Sequence, residues 1–396
     1  MTWQVPFIAQ SEPMDITDLL ILAKEKDASD VHLTVGAPPM LRLRGELRTV
    51  DGLPPLTKES LHAMIYDVLA DNQKARFEEQ WDLDFSIEVL QLGRFRVNVF
   101  RQRRGEGAVF RVIPSNVSPL EALGLPPVLA DLALRDRGLF LVTGPTGSGK
   151  STTLAAMVDV INERRAGHII TLEDPIEFVH EHKHCVVNQR EIGQNAKSFA
   201  GALRAALRED PDVILVGEMR DLETISMALT AAETGHLVLA TLHTSSAAQT
   251  VNRIIDVFSS DQQSQVRVQL AESLVGVVAQ LLLPAADNQG RVPAVEVLVA
   301  TPAVRNLIRE TKVHQIPSAI QTGSRDGMQS LDQHLRELVK RGKITHDIAQ
   351  RWATDKVTFA GDGHRDAVRA GAMPAGPPQD IWTAWTGTEE AKRARA

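Results

Sequence analysis

A single cysteine, Cys185, occurs among 396 residues, so no intrachain disulfide can form and no cysteine-rich zinc site can be assembled. That usage fits a reducing compartment such as the cytosol. Aromatic residues are scarce, at 4 %, which argues against a stacking platform for single-stranded nucleic acid. Positive charge is not in excess: the formal net charge is −7, so no global field draws the chain to a polyanion. These two shortages set nucleic acid aside as a partner. Long apolar runs are missing too. The best, residues 274–283, has about half the length of a membrane-spanning helix. The opening residues, MTWQVPFIAQSEP, lack the basic-then-apolar order of a secretory signal. The expectation is a soluble cytoplasmic chain, ordinary in its 43 % hydrophobic content and long for one core.

What is present falls into blocks. Residues 1–13 read as a tail without periodicity. Residues 14–112 read as an α+β domain: a helical face (Ile16, Leu19, Leu20, Ala23), alternating segments at 31–35, 40–44 and 47–50, helices near 58–69 and 72–80, then strands at 83–89, 94–100 and 108–112. Residues 113–137 hold Pro114, Pro119, Gly124, Pro126 and Pro127 and read as a linker. From Gly138 to residue 300 strands and helices alternate. Strands are predicted at 168–173, 185–188, 212–217 and 236–242, with helices at 198–208, 222–230 and 247–256, the pattern of a parallel sheet covered on both faces. Helices are predicted at 262–278, 302–310, 314–321 and 331–341, so residues 301–358 read as a helical extension. Residues 359–396, rich in Ala, Gly and Pro with Trp382 and Trp385, read as a tail without order.

The strongest motif lies at 138–152, GLFLVTGPTGSGKST. An apolar strand breaks into Gly144, Pro145, Thr146, Gly147, Ser148, Gly149, Lys150, Ser151 and Thr152, and a helical pattern opens with Leu154, Met157, Val158 and Ile161. This is G-x-x-x-x-G-K-[ST] in the strand–loop–helix setting that the motif requires. Glycines let successive backbone N–H groups cradle phosphate oxygens at the positive end of a helix dipole. Lys150 is placed to reach the β- and γ-phosphates of ATP, and the Ser151 hydroxyl to ligate Mg²⁺. A merely Gly-rich turn would not need the lysine or the flanking elements.

Hydrolysis needs carboxylates nearby. The apolar strand at 213–216 is followed by Gly217 and Glu218, so Glu218 sits where open α/β sheets place ligands and suits orienting the attacking water. Glu173, Asp174 and Glu177 cluster at another strand end; a cation would offset their repulsion, and spacing does not choose among them. His236 opens a strand that His243 ends. Their odd spacing puts them on opposite faces, with His243 at the carboxyl end the better placed. In the first domain, Arg94 and Arg96 share one face of a strand, with Arg101, Arg103, Arg104 and Arg111 nearby. They read as a solvated basic face or as arginine fingers toward γ-phosphate charge.

Assembled, these residues resemble the bacterial type II/IV secretion ATPase superfamily, and within it the type IV pilus retraction (twitching motility) ATPases, over residues 14–348. GPTGSGKSTTLAAM is similar to that family's P-loop, TLEDPIEFVH to its acidic box, REDPDVILVGEMRDLETI to its Walker B element and AAETGHLVLATLHTSSAAQTVNRIIDVF to its His box. The resemblance implies an α/β fold, a RecA-like P-loop ATPase core (138–300) preceded by a PAS-like α+β domain, with a helical C-terminal extension. It implies that Lys150 is the phosphate lysine, Glu177 the acidic-box residue also facing the metal, Glu218 the catalytic glutamate, and His236 and His243 the histidine pair. RFRVNVFRQRRGEGAVFR implies finger roles for Arg94, Arg96, Arg104 and Arg111. Residues 303–310, AVRNLIRE, are similar to a helix typical of retraction ATPases. Further implications are ATP and Mg²⁺ as ligands, a homohexamer, an inner-membrane pilus platform protein as partner, room for an accessory retraction ATPase, and peripheral work at the cytoplasmic face of the inner membrane. Pilus-assembly or secretion ATPases are the near alternative, although their usual four-cysteine zinc insert cannot be built here. A RecA-like nucleic-acid-dependent ATPase is the distant one.

Overall fold

The computed structural model describes residues 15–356 apart from 44, 115, 288 and 289, together with Phe359. The tails at 1–13 and 359–396 therefore lie outside the described residues, Phe359 excepted. Helix α1 (Ile16–Glu25) begins because Asp15 accepts from the Asp18 N–H while the Asp18 carboxylate takes the Asp15 N–H, closing a reciprocal cap. Strands β1 (Asp30–Thr34), β2 (Met40–Leu43) and β3 (Glu46–Thr49) follow, then α2 (Lys58–Val68), capped by Thr57, and α3 (Asp71–Gln80). Strands β4 (Asp82–Val89), β5 (Gly93–Gln102) and β6 (Gly105–Val112) complete a six-stranded sheet of order β3-β2-β1-β6-β5-β4, antiparallel throughout. Alternation along β5 sends Phe95, Val97 and Val99 into a core with Phe110, Phe77, Leu19 and Leu20. Arg94 and Arg96 are left together on the other face, as the period of two requires.

Helix α4 (Val128–Ala133) leads into β7 (Gly138–Thr143), α5 (Lys150–Arg164), β8 (His168–Glu173), β9 (Val186–Glu191), α6 (Phe199–Ala206), β10 (Val213–Val216), α7 (Leu222–Glu233), β11 (Leu237–Leu242), α8 (Ala247–Asp256) and α9 (Gln263–Ser273). Strands β12 (Leu274–Pro284) and β13 (Arg291–Val299) and helices α10 (Pro302–Arg309), α11 (Ile316–Thr322), α12 (Leu331–Lys340) and α13 (His346–Trp352) close the order. The second sheet has seven strands, β13-β12-β7-β11-β10-β8-β9, and its neighbours from β12 to β9 are parallel. Each central strand is buried on both sides. In β7, Leu139 and Leu141 enter the core shared with α6 to α10, whereas Phe140 and Val142 enter the core shared with α4 and α5.

Two expectations are corrected. The helix predicted over 262–278 is α9 only to Ser273, and the run from Leu274 is strand β12. An apolar run buried on both faces has no period, so pattern alone cannot separate strand from buried helix. Strand β13 was not predicted at all. Its Pro293 argues against a strand, yet β13 lies at the sheet edge, where a missing N–H is tolerated. No helix among the described residues is long and apolar enough to cross a membrane.

By packing, residues up to 282 with 295–330 make one compact unit, and residues 283–294 with the described residues from 331 onward make another. In the smaller unit the Asp332 carboxylate accepts from the N–H groups of Thr354 and Asp355, and the Arg336 guanidinium lies over the Phe359 ring at 5.3 Å.

Candidate functional site

Register decides where the chemistry collects. Leu242 pairs with Thr143, Ala240 with Val216, and Val216 with Leu172, so β7, β11, β10 and β8 end nearly level. The segments that leave these carboxyl ends carry the glycine-rich loop, His243, Glu218 and the acidic stretch in turn. That edge is where parallel sheets receive ligands.

The loop between β7 and α5 is shaped against β12. Gly144 has φ +142°, and a Cβ there would stand 2.2 Å from the Gln280 carbonyl oxygen. Gly149, at φ +86°, would bring a Cβ to 2.9 Å from the Gln280 side-chain nitrogen. Only glycine fits either position. Gln280 itself is buried; its Nε2 donates to the Ser148 carbonyl at 2.7 Å, and its Oε1 accepts from the Thr153 hydroxyl at 2.7 Å. One amide thus ties the loop to the first turn of α5. Lys150 Nζ donates to the carbonyls of Gly144 at 2.9 Å and Pro145 at 3.1 Å. Burial pushes its ammonium below the ordinary lysine range, and the charges of Glu218 and Glu177 pull it back, so the three groups share one field. Ser148 Oγ and Thr143 Oγ1 are buried without a hydrogen-bond partner. Pro145, Thr146 and Gly147 are exposed, and Ser151 and Thr152 are half-buried on α5.

Glu218 is held from both sides. Its Oε1 meets His243 Nε2 at 3.0 Å and takes a very short bond from Arg220 Nε. Burial raises its carboxyl pKa, but Arg220, His243 and Lys150 outweigh that and leave it lowered, so the group is an ionised acceptor at neutral pH. The backbone beneath is pinned: Thr241 Oγ1 donates to the Gly217 carbonyl at 2.5 Å, and Gly217 N–H donates to the Leu172 carbonyl at 2.7 Å. In the acidic stretch, Glu173 turns inward. It accepts from Thr171 Oγ1 at 2.6 Å and Gln189 Nε2 at 3.2 Å, and burial raises its pKa despite these bonds. Asp174 and Glu177 are exposed.

Two groups of predicted residues are not brought to this edge within the chain. His236 precedes β11 at its amino end, with Nδ1 3.0 Å from the Ala231 carbonyl. The six residues of β11 separate it from His243 by about 20 Å, so the expected pairing with the site fails within the chain. The arginines point to acids of their own domain or its neighbour: Arg94 to Glu191 at 2.8 Å, Arg96 to Asp84 at 3.7 Å, Arg111 to Asp30 at 2.8 Å. Arg104 is exposed. Among the described residues no hydrogen bond or ion pair joins any of the four to 144–152. The sequence reading also missed Gln280, Thr241 and Arg220. Gln280 left a signal, being the one polar side chain in the run LVGVVAQLLL.

Fold and site together define an α/β protein with a glycine-rich loop and a polar cluster at the carboxyl edge of a parallel sheet. Residues 13–375 match the type II/IV secretion system protein family, and the chain belongs to it. It is 56 % identical over 340 residues to the protein of Pseudomonas aeruginosa named "Type IV pilus retractation ATPase PilT", covering 86 % of this chain and 98 % of that protein. It is 54 % identical over 322 residues to a "Twitching motility protein" of Neisseria gonorrhoeae, covering 81 % of this chain and 86 % of that one. A crystal structure of the pilus retraction motor PilT with bound ADP superposes with a TM-score of 0.81 at 49 % identity, covering 87 % of this chain and 98 % of that chain.

Replacing Gln280 by Leu keeps the volume but orphans the Ser148 carbonyl and the Thr153 hydroxyl, each at a cost of about 1–3 kcal/mol. Thermal unfolding should show a lowered Tm, and titration with ADP a weakened affinity. Glu173 gives a pH signature. A raised folded pKa means stability is full below the unfolded value and is lost as pH rises through the folded one. Glu173→Gln removes that loss, so its Tm should exceed the wild-type value at pH 8, with the gain vanishing toward pH 4.

Proposed function

We propose that the chain is a motor ATPase that hydrolyses ATP to drive type IV pilus retraction, the pilin depolymerisation read out as twitching motility. The observation that carries this reading is the meeting of Lys150, Glu218 and Glu177 in one field at the strand ends, in a chain so similar to a retraction ATPase. The unpartnered Ser148 hydroxyl and the glycine-only cradle fit a triphosphate lying along residues 144–152. Lys150 would exchange its two loop carbonyls for β- and γ-phosphate oxygens. Mg²⁺ carried by the nucleotide would find oxygen donors in Ser151, Glu177 and Glu218, as a hard cation needs, and would supply charge neutralisation.

Glu218 then orients and polarises the attacking water, which its ionised state allows. His243 and Arg220 hold its carboxylate in place, so His243 acts by positioning. Arg96, Arg104 and Arg111, presented by a neighbouring subunit of a homohexamer, complete the site with transition-state charge. In this reading residues 14–112 are the PAS-like module, 113–137 the linker, 138–300 the RecA-like core and 301–358 the helical extension. The ring works at the cytoplasmic face of the inner membrane and passes its motion to a pilus platform protein. Helix α10 supports a role beyond hydrolysis. Arg305 is spent inward on the carbonyls of Ala271, Glu272, Leu274 and Ala300, while Asn306, Arg309 and Glu310 stay exposed for a partner.

Lys150→Ala should reduce ATP turnover to background, measured as phosphate release by purified protein; full turnover would remove the loop from the active site. In cells with Glu218→Gln as the sole copy, fluorescently labelled pili should be abundant and static. Cells without pili would assign the motor to assembly instead.

A further inference from the structure

Glu191 closes β9 with a buried carboxylate that three separate elements hold. Arg94 of β5 donates at 2.8 Å, the Ser86 hydroxyl of β4 lies 3.1 and 3.2 Å from the two oxygens, and the backbone N–H of Ile176 donates at 3.1 Å. The first two donors belong to the N-terminal sheet. The third lies inside the acidic stretch, one residue from Glu177. Burial separates Arg94 from the other arginines: its side chain is 17 % exposed, against 42 % for Arg96 and 64 % for Arg111, and that of Glu191 is 4 % exposed.

We propose that Arg94 and Glu191 form a latch through which the N-terminal module positions the acidic stretch, so that Arg94 is a positioning residue and not a finger. A carboxylate this covered is stable only while paired and fully hydrogen-bonded. If the N-terminal sheet withdraws, Arg94 and Ser86 leave together. Glu191 must then follow them or turn to water, and either movement breaks its bond to Ile176 N–H. Residues 174–177 thereby lose their tie at Ile176, while Glu173 and Phe178 on either side stay bound to Ile192 and Gln189. Displacement of the module and loosening of this short stretch become one event. Its consequence for Mg²⁺ rests on the ATPase reading above; the latch itself does not.

Amide hydrogen exchange on the full chain without nucleotide tests the latch directly, in the peptide spanning residues 174–178. Arg94→Gln should speed exchange at Ile176 by about tenfold or more. Arg94→Lys, which keeps the charge, should show a smaller effect and serves if the first variant does not fold. Arg48→Gln, which breaks only the exposed pair with Glu46, should leave that peptide unchanged. Unchanged exchange at Ile176 in both Arg94 variants would overturn the proposal. In ATP turnover, Arg94→Gln and Glu191→Gln should each raise the Mg²⁺ concentration needed for half-maximal rate, and the double variant should do no worse than the poorer single one. Full turnover in Glu191→Gln beside a collapsed rate in Arg94→Gln would return Arg94 to the finger role. A wild-type chain without turnover would sink the ATPase reading while leaving the exchange result to judge the latch.

Discussion

Parallel register is the constraint on which the rest depends. A one-residue slip of β10 against β11 or β8 would turn its alternating side chains to the opposite core, and both cores are filled. Thus the same apolar packing that stabilises the sheet also levels the ends of β7, β8, β10 and β11. Loops that are far apart in the chain are delivered to one edge without any contact among themselves being needed to bring them there. Polar chemistry at that edge inherits its geometry from hydrophobic burial beneath it.

Electrostatics at the edge is a balance of opposed tendencies. Desolvation acts against the charge on Lys150, on Glu218 and on Glu173 alike, yet the outcomes differ. Glu218 has Arg220, His243 and Lys150 around it and is driven down; Glu173 is more deeply buried, has neutral side-chain donors in Thr171 and Gln189 and feels the charge of Glu177, and is driven up. Two carboxylates at neighbouring strand ends are thereby given different proton affinities, by deeper burial of Glu173 and by the unlike partners of the two groups. One is fitted to act as an acceptor, the other to brace the strand on which it sits.

Much of this was legible before any fold was known. The glycine-rich loop announces itself by spacing, and Glu218 by following four apolar residues that only a buried central strand would use. The alternation of β5 correctly placed Arg94 and Arg96 on one face. Partnership was not legible: nothing local to Arg94 says that Glu191, 97 residues away, will take it. The same holds for His236. The resemblance pairs it with His243, whereas the strand between them turns seven positions into separation. Residues 274–299 failed for a different reason. Burial on both faces erased the period in β12, and a tolerated edge proline disguised β13.

Arg305 and Gln280 lie at opposite ends of the same stretch of β12. The guanidinium grips the Leu274 carbonyl at 2.8 Å where the strand starts, and the Gln280 amide grips the Ser148 carbonyl at 2.7 Å farther along. Beyond a register shift between Leu274 and Gly276, the strand runs extended and close to its full length. β12 is thus a tie-rod under helix α10, anchored to the loop at its far end. Past that shift the strand has little slack, so a displacement of its start reaches the loop through the two hydrogen bonds of the Gln280 side chain. If a ligand at the loop and a partner on α10 are coupled through this strand, each must change the affinity of the other by the same factor.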